Sequence, residues 1–335
     1  MSTSARAVWA AIRGSAVAAW LMYTLVGMAG AGGLVMVACD GDAHPGRDTA
    51  ATAAAKARAQ AKAKANAKGP GAVAPRPAPP IDAAAPLPPY QLYPDLGAAI
   101  GALTRDHPRV IGLGELHVRT DRPVPGVSAL ARFSAEVLPA LGDRVSDVVV
   151  ETWTVDPTCQ RGVTATRQIE SSMKRPASTK NEIGSLFGVA RARSITAHVM
   201  RLTCDELAAM GGDAGVDPER LLTMVTRELD RVTRSAVRYR DEHHESRPMI
   251  LVYGGALHND LYPFESTKAW SYALAVDAAT GGRYVEVDVY APELVEGDAL
   301  YQREPWYPLI ARADGHGVML VERAPRSYLA ILPRS

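Results

Sequence analysis

Two rhythms of apolar and polar positions alternate along residues 90–335. Short apolar runs, "RVIGLGE" at 109–115, "SDVVVETW" at 146–153, "PMILVYGG" at 248–255 and "RYVEVDVY" at 283–290, have the length of strands. Between them lie segments with apolar residues at helical spacing. "YPDLGAAIGALTRDH" opens behind Asp95 as an N-cap, and "GVSALARFSAEVLPALGD" closes at Gly142. "DPERLLTMVTRELDRVTRSAVRYRDEHHES" is a long amphipathic helix with Asp217 as N-cap and Pro218 in its first turn. "STKAWSYALAVDAAT" reads as a helix stopped by Gly281 and Gly282, residues 180–210 read as helical with breaks, and "HGVMLVERA" with "RSYLAILP" reads as a terminal strand pair. Runs as continuous as "DVVVE" and "MILVYG" suit strands covered on both faces. The alternation predicts a single α/β domain over 90–335, with a mostly parallel or mixed central sheet flanked by helices.

Residues 1–89 follow neither rhythm. Arg6 and Arg13 precede an uncharged run, residues 14–38, which ends in "VMVAC". This resembles a bacterial lipobox, with Cys39 the residue to be acylated and 1–39 the signal peptide, although Met36 stands where Leu is usual. The competing reading is an uncleaved membrane anchor, since the run is long enough to span. Both readings place the folded part in the cell envelope, outside the cytoplasm, with Arg6 and Arg13 inside. Residues 40–89 are Ala/Lys-rich and then Ala/Pro-rich. Without large apolar side chains they cannot bury a core, which predicts a disordered tether to the membrane. The net charge of +1 carries no nucleic-acid signal.

Candidate chemistry gathers where the apolar runs end. "VIGLGELH", "DVVVETW" and "MILVYGGALHND" bring Glu115, His117, Glu151 and His258 to the carboxyl ends of three predicted strands, where open α/β sheets bind ligands. Two imidazoles and two carboxylates suffice for a divalent metal or for a general acid–base pair. Gly254 and Gly255 would let backbone approach a ligand closely. Each of the four residues also has an ordinary structural reading, as a solvated loop side chain, a turn cap or an arginine partner. Their joint occurrence at three strand ends favours a site.

These motifs, in this order, are similar to those of the superfamily joining erythromycin esterases, ChaN-like haem-binding lipoproteins and the TIKI/TraB metalloproteases. The resemblance spans about residues 92–290 by motif order, and residues 155–215 match no single branch. It implies His117 and His258 as site histidines and Glu115 and Glu151 as site carboxylates. It leaves the cofactor as a divalent metal or haem. The leading expectation is a hydrolase, esterase-like or metal-dependent, acting on a small molecule or a peptide. The alternative is a haem- or iron-binding lipoprotein with His117 or His258, or the nearby Tyr253, as axial ligand. A third reading is a lipoprotein with a decayed site that works by protein contact.

Other ionisable residues have plainer readings. His243 and His244 read as a solvated helix end. His198 reads as a helical, satisfied histidine, and Asp205 as a weak site candidate. Arg119 and Arg122 follow GELH and would suit an anionic group, but exposed loop arginines are usually less specific. Asn259 and Asp260 are placed to orient His258. No G-x-S-x-G, H-E-x-x-H or P-loop is present, which disfavours a serine hydrolase, a zincin and an NTPase. With Cys39 assigned to lipid, Cys159 and Cys204 remain as a pair for a disulfide in an exported chain.

Overall fold

The computed structural model describes residues 87–335 apart from 211–214, 245 and 316. Cys39 and most of the expected tether lie outside the described residues. Eight strands form one sheet: β1 (Tyr90–Tyr93), β2 (Val110–Glu115), β3 (Val145–Thr154), β4 (Thr196–Arg201), β5 (Met249–Gly255), β6 (Tyr284–Tyr290), β7 (Val318–Ala324) and β8 (Ser327–Ile331). Their spatial order is β1-β7-β8-β6-β2-β5-β3-β4. Six neighbouring strands, from β8 to β4, run parallel, and β7 pairs antiparallel with both β8 and β1. The fold is therefore α/β with a mixed sheet.

Helices cover both faces, which explains the unbroken apolar character of β2, β3 and β5. On one face lie α1 (Leu96–Leu103), the run from Ala129 to Leu141 (α2), and, further along the chain, Ser178–Ala192. They pack on Ile111, Leu113, Val148, Val150 and Leu251. The other face carries α3 (Gln160–Met173), which precedes that last helix (α4), then α5 (Cys204–Met210), α6 (Pro218–Glu242) and α7 (Ala273–Ala279), packed on Val110, Val149, Ile250 and Val252. Helix starts follow side-chain chemistry: Asp95 accepts from the Ala98 amide at 2.7 Å and Asp217 from the Arg220 amide at 3.1 Å. Gly281 and Gly282 end α7 with φ of 64° and 80°, a region glycine enters without steric cost.

Four elements differ from the sequence reading. Residues 180–210 are not continuously helical, because β4 interrupts them. As an edge strand it buries only Met200, so it has no apolar run to announce it. Helix α3 and strand β1 were not expected. The segment at 266–280 turns helical only at Ala273, after a 3₁₀ turn at Lys268–Trp270 and an extended Ser271.

Cys159 and Cys204 are joined as a disulfide, with Cα atoms 5.7 Å apart. The bond ties the N-cap of α3 to the first residue of α5. Among the described residues, no helix is long and apolar enough to cross a membrane.

Candidate functional site at the strand ends

Glu115 closes β2 and pairs in register with Gly255 of β5 and Val289 of β6. Strand alternation puts it on the same face as Leu113. It is buried there, and its Oε2 accepts the Tyr253 hydroxyl at 2.5 Å. Two residues on, His117 places Nδ1 2.9 Å from Glu115 Oε1 and Nε2 3.4 Å from Glu151 Oε1. Glu151 lies within an irregularity of β3, between Val150 and Trp153. Its Oε2 accepts the Gly255 amide at 2.6 Å.

The paired glycines of β5 make room for these side chains. A Cβ on Gly254 would stand 2.7 Å from Glu151 Oε2, and one on Gly255 3.0 Å from His117 Nε2.

His258 follows β5 by one turn, its amide bonded to the Gly255 carbonyl at 2.9 Å. The side chain is only 4% exposed. Nδ1 lies 3.0 Å from the Trp270 carbonyl and 2.8 Å from Thr226 Oγ1, which projects from α6. A carbonyl only accepts, so Nδ1 carries the proton and Nε2 the lone pair. Within the described residues Nε2 makes no hydrogen bond.

The two histidines are driven in opposite directions. Burial holds His258 below its ordinary value, against the raising effect of Glu151 and of the bond to Trp270. Burial and the Arg175 charge also press His117 down. The Glu151 charge and the hydrogen bonds to Glu115 and Glu151 outweigh them, so His117 is raised. His117 is thus the more basic of the two imidazoles and His258 the less basic. Burial alone would raise Glu151, but the charge and hydrogen bond of His117, with His258 and Arg175, hold it far below the usual carboxylate range. Tyr253 is pushed well above 10 by burial and by Glu115, and stays a neutral donor.

Arg175 completes the cluster and was not among the sequence candidates. Its guanidinium nitrogens lie 3.6 Å from Glu115 Oε1 and 4.0 Å from Glu151 Oε1. It follows α3 directly, after Lys174 in the left-handed conformation with φ 51°. The Thr120 amide donates to the Lys174 carbonyl at 2.8 Å and Lys174 Nζ meets Asp121 at 3.0 Å. These two bonds pin the arginine turn to the loop that carries His117.

Several other candidates lie elsewhere. His198 is on β4 rather than on a helix, with Nε2 2.6 Å from Asp147 Oδ1. Asp205 pairs with Arg161 on the surface, Arg119 with Asp121, and Arg122 with Asp298. His243 caps α6 and bonds the Tyr239 carbonyl through Nδ1. His244, next to it, is exposed. Asn259 does not reach His258. It turns inward and donates to the Gly112 and Val287 carbonyls. Asp260 bonds the Tyr262 amide.

The donor set does not fit a divalent metal. Both nitrogens of His117 face carboxylates, and among the described residues no group of three or more His, Cys, Asp or Glu is arranged to hold an ion. For haem, Tyr253 is spent on Glu115 and both nitrogens of His117 face carboxylates, so of the three expected ligands His258 Nε2 is the one without a carboxylate beside it.

No family model matches the chain, and no curated protein matches it. Among solved structures, that of the type III effector HopBA1 aligns over 73% of this chain and 98% of its own, at 10% identity and a TM-score of 0.38. A superposition of that quality bears on neither family nor chemistry.

Proposed function

We propose that the chain is a hydrolase working by general acid–base catalysis, held at a membrane outside the cytoplasm by lipid on Cys39. One observation carries the catalytic part: two histidines at one set of strand ends have environments that push their proton affinities apart. Such a split is how acid and base roles are divided within one site. His258, neutral and with Nε2 unspent, is the base that takes a proton from water. His117, whose proton affinity Glu115 and Glu151 raise, is the acid that gives one to the leaving group from Nε2, the nitrogen held loosely at 3.4 Å from its carboxylate. Thr226 and Trp270 fix the tautomer of His258, and Tyr253 fixes Glu115.

The test is ester hydrolysis by the full chain before and after dialysis against a chelator. Activity that survives dialysis and disappears in His258→Ala is expected. Activity that requires added metal sinks the metal-independent mechanism, and an unimpaired His258→Ala sinks the assignment of the base.

The haem-binding alternative is favoured by the same unspent nitrogen of His258. Hemin titration separates it: a Soret shift abolished by His258→Ala supports haem binding. Acylation rests on Arg6, Arg13 and "VMVAC". Labelled palmitate incorporated by the cell-expressed chain and lost in Cys39→Ser supports it, and equal labelling of the variant removes it.

A further inference from the structure

Among the described residues, three largely buried arginines stand beside buried carboxylates, and one of them behaves differently. Arg323 closes on Glu286 and Asp288 at 2.6 Å each. Arg240 closes on Asp147 at 2.7 and 3.1 Å. These are the charge-assisted distances expected of a guanidinium whose task is to neutralise an acid. Arg175 stands off at 3.6 and 4.0 Å, beyond hydrogen-bond range, and forms no closer bond within the described residues. Its side chain is still only 19% exposed. The guanidinium therefore lends charge to the site while its N–H donors stay unspent.

Arg175 is also held in place. The left-handed Lys174 turns the chain at the end of α3, and the bonds of Lys174 to Thr120 and Asp121 tie that turn to the His117 loop. The site then holds two unspent groups of opposite character: a donor-only fork on Arg175 and an acceptor nitrogen on His258. Glu115 and Glu151 line the same site, so a substrate that brings a carboxylate of its own would meet two acidic side chains before reaction.

We infer that Arg175 is the oxyanion-binding residue of this site, taking the carbonyl oxygen of an uncharged acyl substrate into its unspent fork. The inference rests on the hydrolase reading. His258 Nε2 removes a proton from water, and the water oxygen bonds to the carbonyl carbon. The C=O π pair moves onto oxygen, where Arg175 donates to it. When the tetrahedral intermediate collapses, that pair reforms the C=O bond. The bond to the leaving oxygen breaks with its electrons, and His117 supplies that oxygen with a proton. The proton held by His258 passes back to His117, and the acid product ionises to solvent. Water is the only co-reactant. Donors aimed at charge that appears only in the transition state act on kcat rather than on substrate binding.

Two measurements on the full chain test this. The first is turnover of p-nitrophenyl acetate by wild type, Arg175→Gln and Arg175→Ala, with thermal melts to check folding. Loss of roughly 100- to 1,000-fold in kcat is expected, as for removal of one oxyanion donor. KM should change little, and added guanidinium ion should partly restore Arg175→Ala. The second needs no turnover: calorimetric binding of p-nitrophenyl methylphosphonate, a tetrahedral oxyanion, by wild type and Arg175→Gln. Tight binding by wild type that is lost in the variant is expected. Wild type that binds the phosphonate through Arg175 but hydrolyses no ester keeps the anion site and removes the hydrolase reading. A wild type that does not bind the phosphonate, or a folded Arg175→Gln that matches it in kcat or in phosphonate affinity, overturns the inference while leaving hydrolysis standing.

Discussion

Gly255 offers a direct test of how the site is assembled. A Cβ at this position would stand 3.0 Å from His117 Nε2 and 3.4 Å from Glu151 Oε2. Favourable contact between heavy atoms begins near 3.5 Å, so Gly255→Ala must move the imidazole by about 0.5 Å. That equals the tolerance of about 0.5 Å within which a functional side chain works. A misplacement of about 1 Å costs on the order of 100-fold. We therefore expect kcat/KM for ester hydrolysis to fall roughly 10- to 100-fold. Stability should change little. The φ of Gly255 is outside the left-handed region, so alanine fits the backbone. Replacing a strand glycine also recovers about 0.5–1 kcal/mol against the small steric strain.

Gly114 is the control. Its added Cβ would meet Asn259 Oδ1 and stand 2.5 Å from the backbone Cα of Ala256, which cannot swing aside. Gly114→Ala should lose about 1–3 kcal/mol by overpacking. The assays are steady-state kinetics and a thermal melt of each variant. Gly255→Ala with wild-type kcat/KM would refute the placement of His117 against β5.

The remaining expectations concern charge and covalent structure. The pH profile of kcat/KM should be a bell, its acid limb set by the depressed His258 below about 6.5 and its alkaline limb by the raised His117 above it; both limbs on one side of that value would contradict the assignment. Because His117 is raised in the fold, its contribution to stability should be complete below the unfolded value and lost as pH rises through the folded one, as urea midpoints at several pH values will report. Asp147, buried against His198 and Arg240, is lowered to about 2. Its carboxylate should contribute about 2 kcal/mol above pH 4, lost as pH falls toward 2, so Asp147→Asn should be clearly less stable than wild type at pH 7 and nearly equal to it near pH 2. In a chain carrying Cys39→Ser, a denatured, unreduced sample should show no free thiol. The 45-residue separation of Cys159 and Cys204 corresponds to about 4 kcal/mol of loop-closure entropy. The Cys159→Ser/Cys204→Ser double variant should accordingly melt about 8–16 °C lower, and a melting point within a degree or two of wild type would contradict this. His117→Ala, His258→Ala and the double variant should lose similar activity, since groups acting as one unit are not additive.

The strands that build the site were readable because both faces are covered. β2, β3 and β5 need apolar residues at nearly every position, and the sequence displays them as unbroken runs. β4 was not readable for the converse reason: at the edge of the sheet, Thr196, Ala197 and Arg201 remain exposed. Helix α3 buries only Gly162, Ala165 and Ile169, with Met173 half-buried beside them, amid polar residues. Glu115, His117, Glu151 and His258 stood out because ionisable residues directly after such runs are costly to place. Arg175 had no comparable signal. Its position depends on a left-handed Lys174 and on a backbone bond to Thr120, neither of which a single sequence encodes visibly. Asn259 was expected beside His258. Gly114 leaves a space against the neighbouring strand, and the amide fills that space instead.

The position of β5 has a consequence for how the chain acquires its fold. It is hydrogen-bonded between β2 and β3, yet it is made long after both. The bond from Glu151 to the Gly255 amide spans 104 residues, and that from Glu115 to Tyr253 spans 138. At about 5–20 residues per second of synthesis, β2 and β3 wait on the order of 5–20 s for the strand that separates them. Throughout that interval each offers an apolar, unpaired edge of the kind that recruits foreign strands. Pairing over such distances is also slow, because loop entropy must be lost before any contact compensates it. The nascent chain is thus most exposed to aggregation just before Met249 emerges. No fragment ending between Thr154 and Met249 can form a continuous sheet, so a chaperone acting on this protein would need to hold that stretch until β5 arrives.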